Sequence, residues 1–321
     1  MRNPRMTSCA AGVVALAALG GCGGEGGEQE TAQASSPSAD PWSVIVTPDW
    51  LRAHAATDGV VVIDARPPDQ YAQGHIPGAA NLPCASTYDS PPGSTDDLAP
   101  VSHVEALLSA AGVSAEAPVV VYDAESYREA ARLFWVLEVH GHPRVAVLNG
   151  GLKGWTAAGL PASTEPTRRP PTAFVANLQP ERLASKLQVR QALGDNRLLL
   201  LDSRSEEEYV GLKSEAARAG HIPSALSADA RANLHTDERG VCQLLDVEVL
   251  RTAHAWIPGD RRVITYCNTG TRASLSYLVL RSLGRNVAVY DGSWREWSAD
   301  PTLPVATGLE PAGLASEAPD R

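Results

Sequence analysis

Two stretches of this chain repeat one another motif by motif, and no other feature restricts its fold so tightly. Val60-Val61-Val62-Ile63 runs into Asp64-Ala65-Arg66 and then Gly74-His75-Ile76-Pro77-Gly78. Leu198 to Leu201 runs into Asp202-Ser203-Arg204, then Glu208-Tyr209 and Gly220-His221-Ile222-Pro223. Val119-Val120-Val121-Tyr122-Asp123 matches Val263-Ile264-Thr265-Tyr266-Cys267, and an apolar-periodic helical pattern follows each. Val145 to Gly151 with Trp155 matches Val287 to Gly292 with Trp297. The offsets are 138 at the aspartates, 146 at the histidines, 144 at Asp123 and Cys267, and 142 at the glycines, so one duplication with small loop insertions accounts for all of them.

Each copy alternates short apolar strands with helical segments, the pattern of a parallel sheet covered by helices on both faces, and the fold class is therefore α/β. The expected domains are 41–162 and 172–305. They are joined by a proline-rich linker at 163–171 and followed by a tail at 306–321. In such sheets ligands sit beyond the carboxyl ends of the strands.

Cys267 lies there, between the β-branched run ending at Tyr266 and a helix closed by Gly284. A helix N-terminus directs backbone N–H groups and partial positive charge at its neighbour, and such surroundings favour a thiolate. The loop Asn268-Thr269-Gly270-Thr271-Arg272-Ala273 would supply donors around a soft anion. Gly270 permits the angles of a tight cradle, Arg272 can hold an oxyanion bidentately, and Thr269, Thr271 and Ser274 add hydroxyls. The first copy has Asp123 in place of the cysteine. The alternative for Cys267 is a buried, inert thiol.

The N-terminus has a separate character. Arg2 and Arg5 precede the uncharged run 10–19, which is too short to span a bilayer but suits the apolar core of a signal peptide. Leu19-Gly20-Gly21-Cys22 follows. It resembles a bacterial lipobox, which implies removal of 1–21 and lipidation of Cys22; an ordinary secretory signal with a chance cysteine is the alternative. Residues 22–40 lack large apolar side chains and suit a flexible tether. The expected location is therefore an exported, membrane-anchored lipoprotein on the periplasmic or extracellular side. Loss of 1–21 removes two arginines and no acids, taking the formal charge from -10 to -12. A body so acidic is a poor nucleic-acid binder, and an anionic substrate would need locally positive potential. Of the remaining cysteines, Cys84 and Cys242 are expected to be isolated buried thiols, with a disulfide between them as the alternative. No cysteine–histidine cluster has metal-ligand spacing, and no cofactor is called for.

The D-x-R, E-Y and G-H-I-P motifs, the strand–cysteine loop–helix, the Gly…Trp segment and their duplication together resemble the tandem-domain rhodanese family of sulfurtransferases, over nearly all of 41–305. The resemblance implies two rhodanese-like domains, the first inactive and the second catalytic through Cys267. It implies a small anionic sulfur donor, a cyanide or thiol acceptor, and a Cys267 persulfide between them; the expected state is a monomer. It also implies that Arg204 lies near the active loop and pairs with Glu208, or else forms a structural ion pair. His75 and His221 are expected to lock turns. A cysteine phosphatase of related fold carries C-x5-R, a cradle for a tetrahedral phosphate, whereas Cys267 to Arg272 is C-x4-R and suits a single sulfur. Family enzymes using 3-mercaptopyruvate show C-G-[ST]-G-V-T and the thiosulfate type C-R-K-G-V-T. Here Asn268 and Arg272 meet neither pattern. The missing glycine after Cys267 and the cationic Arg272 favour thiosulfate, with 3-mercaptopyruvate, or a non-catalytic sulfur carrier or docking role, as alternatives.

Overall fold

A computed structural model describes residues 43–56, 58–89 and 97–309. The proposed signal, the anchor Cys22, the tether and most of the tail lie outside the described residues. The first copy runs β1 (Ile45–Val46), α1 (Pro48–His54), β2 (Val61–Asp64), α2 (Pro68–Gln73), β3 (Ala80–Asn81), β4 (Tyr88–Asp89), β5 (Asp97–Leu98), α3 (Val101–Ala110), β6 (Val119–Tyr122), α4 (Arg128–Val139), β7 (Val145–Leu148) and α5 (Gly151–Ala157). The second repeats it: β8 (Leu183–Ala184), α6 (Lys186–Ala192), β9 (Leu198–Asp202), α7 (Glu206–Tyr209), β10 (Leu226–Ser227), β11 (Leu234–Thr236), β12 (Cys242–Leu244), α8 (Val247–Ala253), β13 (Arg262–Tyr266), α9 (Thr271–Ser282), β14 (Val287–Tyr290) and α10 (Ser293–Ala299).

The sheets have one topology, β1-β7-β6-β2-β3 and β8-β14-β13-β9-β10, parallel throughout. Valine and leucine runs suit such strands because both faces are buried, and period-two alternation then sends neighbours to opposite cores. Val61, Ile63, Val119 and Val121 share a central core with Leu199, Leu201, Val263 and Val289 from the other copy. Their neighbours Val60, Val62 and Val120 face an outer core of the first copy, and Leu200, Ile264 and Tyr266 an outer core of the second. The repeats thus share their largest core, and the described residues form one compact unit.

At the centre of that shared core α4 packs against α9. Both helices are buried nearly all round, from Ala130 to Val139 and from Ala273 to Leu280, as a helix between two sheets must be. The copies also exchange hairpins. Leu98 on β5 donates its N–H to Asp291 Oδ2 at 2.8 Å, and Leu244 on β12 donates to Asn149 Oδ1 at 3.1 Å. Asp291 and Asn149 occupy corresponding positions, so the exchange is pseudo-twofold. The second sheet begins only at Leu183. Residues 172–179, assigned by sequence to the second domain, run along the first copy, with Phe174 N–H on Ser109 Oγ and Gln179 N–H on the Val139 carbonyl. His75 and His221 lock turns: their Nδ1 atoms lie 3.0 Å from the Tyr71 carbonyl and 2.9 Å from the Tyr209 carbonyl, and each ring stacks on the same tyrosine. Cys84 and Cys242 are unpaired, the first buried and the second half-buried.

Candidate active site

Cys267 follows the last residue of β13, and its backbone is clamped from the turn between β14 and α10. Its N–H donates to Ser293 Oγ at 3.2 Å, its carbonyl accepts from Trp294 N–H at 2.9 Å, and the Asn268 carbonyl accepts from Arg295 N–H at 3.1 Å. Ser293 takes a positive φ of 52° to do this, and its hydroxyl donates on to the Tyr290 carbonyl. Strain at a non-glycine residue is tolerated where several hydrogen bonds over-determine the backbone. The signal for Ser293 was readable only by alignment of the copies, because Gly151 stands at the same place in the first.

Gly270 caps α9 at φ 83°, and the backbone N–H groups from Asn268 to Ala273 meet no acceptor among the described residues. A loop with that many uncommitted donors at a buried helix N-terminus is an anion cradle. Cys267 is 1% exposed and lies on the wall of a cavity of about 820 Å³, with Asn268, Thr269, Thr271 and Arg272 beside it. Arg128 from the first copy and Lys213, Arg231 and Arg295 from the second also line the cavity, with Glu207, Glu208 and Glu215 as the acids. Arginines and a lysine therefore outnumber carboxylates around this opening in an acidic chain.

Arg272 does not stand there as a free cation. Its Nη1 and Nη2 donate to Glu208 Oε2 and Oε1 at 2.6 and 2.9 Å, and Asn268 Nδ2 donates to Glu208 Oε1 at 3.0 Å. Burial alone would raise the Glu208 carboxyl, but the Arg272 guanidinium and the Ser205 N–H and hydroxyl bring it down to about 2. Burial works against the Arg272 charge as well, and the Glu208 hydrogen bonds outweigh it and raise the guanidinium pKa. The ion pair fixes the loop and cancels most of the charge that Arg272 would bring to an anion.

Of the two expectations for Arg204, pairing with Glu208 is corrected and a structural ion pair is what forms, with Asp202 as the partner: Nε lies 2.9 Å from Oδ1 and Nη2 2.6 Å from Oδ2, and Nη2 gives a further bond to the Gly220 carbonyl. It is 1% exposed, lies 4.8 Å from the Trp294 ring centroid and is not part of the cavity wall. Arg66 does the same with Asp64 and Gly74 in the first copy. A buried guanidinium needs a carboxylate close by, and D-x-R supplies it two residues away, so the motif closes a turn in both copies. Ser274 likewise turns from the cavity, its hydroxyl donating to the Gly270 carbonyl at 2.9 Å.

The corresponding place in the first copy is filled. Tyr127 caps α4 at φ 59°, where Gly270 caps α9, and its hydroxyl donates to Asn149 Oδ1 and accepts from Gly150 N–H and Leu244 N–H. Asp123 is buried, and burial together with the nearby Glu129 carboxylate pushes its carboxyl upward. Among the described residues, no cysteine of the first copy stands where Cys267 stands in the second.

A family model described as the rhodanese-like domain matches residues 47–158 and 185–300. A thiosulfate sulfurtransferase of Azotobacter vinelandii is 33% identical over 263 residues, covering 82% of this chain and 96% of its own. A thiosulfate sulfurtransferase of Pseudomonas aeruginosa has the same identity and coverage. A putative thiosulfate sulfurtransferase of Saccharopolyspora erythraea is 32% identical over 285 residues, covering 83% and 97%. Among solved structures, the crystal structure of YnjE superposes with a TM-score of 0.73 at 28% identity, over 84% of this chain and 69% of that one. The anaerobic ergothioneine biosynthesis enzyme of Chlorobium limicola, in complex with trimethyl histidine, gives 0.74 at 25% identity, over 83% and 71%.

Proposed function

The chain belongs to the rhodanese family, as two rhodanese-like domains in tandem, and on that premise we propose that it is a sulfurtransferase that moves the outer sulfur of thiosulfate through Cys267. The observation that carries this reading is a buried cysteine at the mouth of a helix, ringed by uncommitted backbone N–H groups, in one copy only. In the first step the Cys267 thiolate attacks the outer sulfur of thiosulfate. The bond between the two sulfurs breaks, and sulfite leaves with the electron pair. The cradle then holds the terminal sulfur of the Cys267 persulfide, a compact anion that four-residue spacing to Arg272 fits better than a tetrahedral phosphate. In the second step the carbon of cyanide, or a thiolate, attacks that terminal sulfur and Cys267 departs as a thiolate, ready for the next donor. Thiosulfate is favoured over 3-mercaptopyruvate by the names of the relatives and by the excess of cations around the cavity.

Intact mass spectrometry after incubation with thiosulfate tests the mechanism. A gain of one sulfur atom is expected, lost in Cys267→Ala and discharged by cyanide over repeated turnovers. No gain, or a gain that survives Cys267→Ala, refutes it; loading once without turnover would mark a carrier.

The reading extends to place. The charged start, short apolar run and Leu19-Gly20-Gly21-Cys22 support export with a lipid on Cys22, which would hold the enzyme at a membrane surface. Expressed in a bacterium, the full chain is expected in the membrane fraction and Cys22→Ala outside it. A Cys22→Ala protein that stays with the membrane would disprove the anchor.

A further inference from the structure

The first copy has Asp123 where the second has Cys267, yet its Arg132 reaches the back of the second copy's loop. Arg132 on α4 is fully buried and forms an ion pair with Asp291, at the end of β14. Its Nη2 lies 3.1 Å from Asp291 Oδ2, the oxygen that also accepts Leu98 N–H. The guanidinium carbon stands 4.9 Å from the Tyr88 ring centroid and 4.4 Å from that of Trp135, so aromatic faces of the first copy hold it on two sides. The pair presses on Gly270: a Cβ built there would sit 2.7 Å from Asp291 Oδ1 and 2.8 Å from Arg132 Nη1.

Among the described residues nothing comparable runs the other way. Counted from the start of each helix, Leu275 stands in α9 where Arg132 stands in α4. Asn149 replaces Asp291 and bonds to Tyr127, the residue in Gly270's place. The asymmetry follows the nucleophile. Where a tyrosine plugs the loop no arginine is sent, and where a glycine leaves the loop open a buried ion pair backs it.

We propose that Arg132 is a positioning residue for Cys267, acting with Asp291 as the wall behind Gly270 that fixes the direction of the cradle N–H groups. A buried ion pair is a poor source of stability, because desolvation consumes most of its attraction, but it holds geometry closely. Donors that stabilise a developing anion are effective only when held in place before the reaction. The first copy, on this view, works for the second: it supplies the brace, and its own cradle has been given up.

The proposal builds on the placement of the nucleophile at Cys267, and its test reads thiol reactivity, so that it can fail separately from the persulfide reading. In Arg132→Met/Asp291→Asn both charges go together and Asn retains an acceptor for Leu98 N–H, so the double variant should fold with a melting temperature near the parent's. Alkylation of Cys267 by iodoacetamide at neutral pH, followed by mass mapping, is expected to slow about tenfold. Arg132→Lys, which keeps the cation, is expected to recover at least half of that loss. Parent-like alkylation in the folded double variant, or a loss that Arg132→Lys leaves untouched, overturns the proposal. Sulfur loading of the parent by thiosulfate, measured alongside, reports on the persulfide mechanism alone.

Discussion

Gly270→Ala is expected to lower the rate at which thiosulfate loads Cys267 by a factor on the order of 10² to 10³, the loss seen when a single preorganised oxyanion donor is removed. Two separate effects combine. Gly270 has φ 83°, where an alanine is strained by about 1–3 kcal/mol. Strain alone would be survivable, since Tyr127 holds φ 59° at the corresponding place in the first copy. The larger effect is spatial. The new methyl would meet Asp291 Oδ1 and Arg132 Nη1 well inside contact distance, and neither can retreat, because Leu98 N–H, Tyr88 and Trp135 hold the pair. The loop must therefore move instead, carrying the N–H groups of Thr269 to Arg272 away from the sulfur. Stopped-flow loading with thiosulfate, or single-turnover mass analysis, gives the rate; a loss of less than about threefold in a folded Gly270→Ala protein would show that the cradle does not depend on this glycine.

Most of the architecture was legible in the sequence because parallel strands buried on both faces read as unbroken valine and leucine runs, and because every run occurs twice in the same order. Cys267 was legible for the same reason: it stands where the repeat offers Asp123, so comparison of the copies isolates it without any coordinates. What escaped were contacts made at long separation. The family resemblance suggests Glu208 as a partner for Arg204, but the carboxylate reaches across to Arg272 and Asn268 while Arg204 is satisfied two residues away by Asp202. A buried arginine takes the nearest carboxylate that geometry allows, and D-x-R provides one in cis. The Arg132–Asp291 pair bridges 159 positions and carries no local pattern at all. The limit of the repeat reading is also physical: it implies two independent cores, whereas α4 and α9 bury each other's faces and merge them.

That merger makes the seam between the copies the place where one substitution should cost most stability. Glu138, near the end of α4, is 8% exposed and accepts hydrogen bonds from Tyr277 Oη at 2.6 Å, Arg281 Nε at 2.9 Å and Nη2 at 2.8 Å, and Arg182 Nη1 at 3.4 Å. One carboxylate from the first copy thus neutralises two arginines and satisfies a phenol from the second. Glu138→Ala leaves those groups without their counter-charge, and breaking a buried pair from one side costs about 3–5 kcal/mol. The arginine side chains keep roughly a quarter of their exposure, so water recovers part of the loss and the lower end of that range, about 3 kcal/mol, is expected. At about 2–4 °C per kcal/mol for a chain of this size, the melting temperature should fall by roughly 6–12 °C. Glu138→Gln keeps the shape and one acceptor for Tyr277, so it should lose about half as much. Differential scanning calorimetry distinguishes the cases: a Glu138→Ala transition within about 2 °C of the parent's would mean that the shared apolar core, and not this carboxylate, holds the copies together.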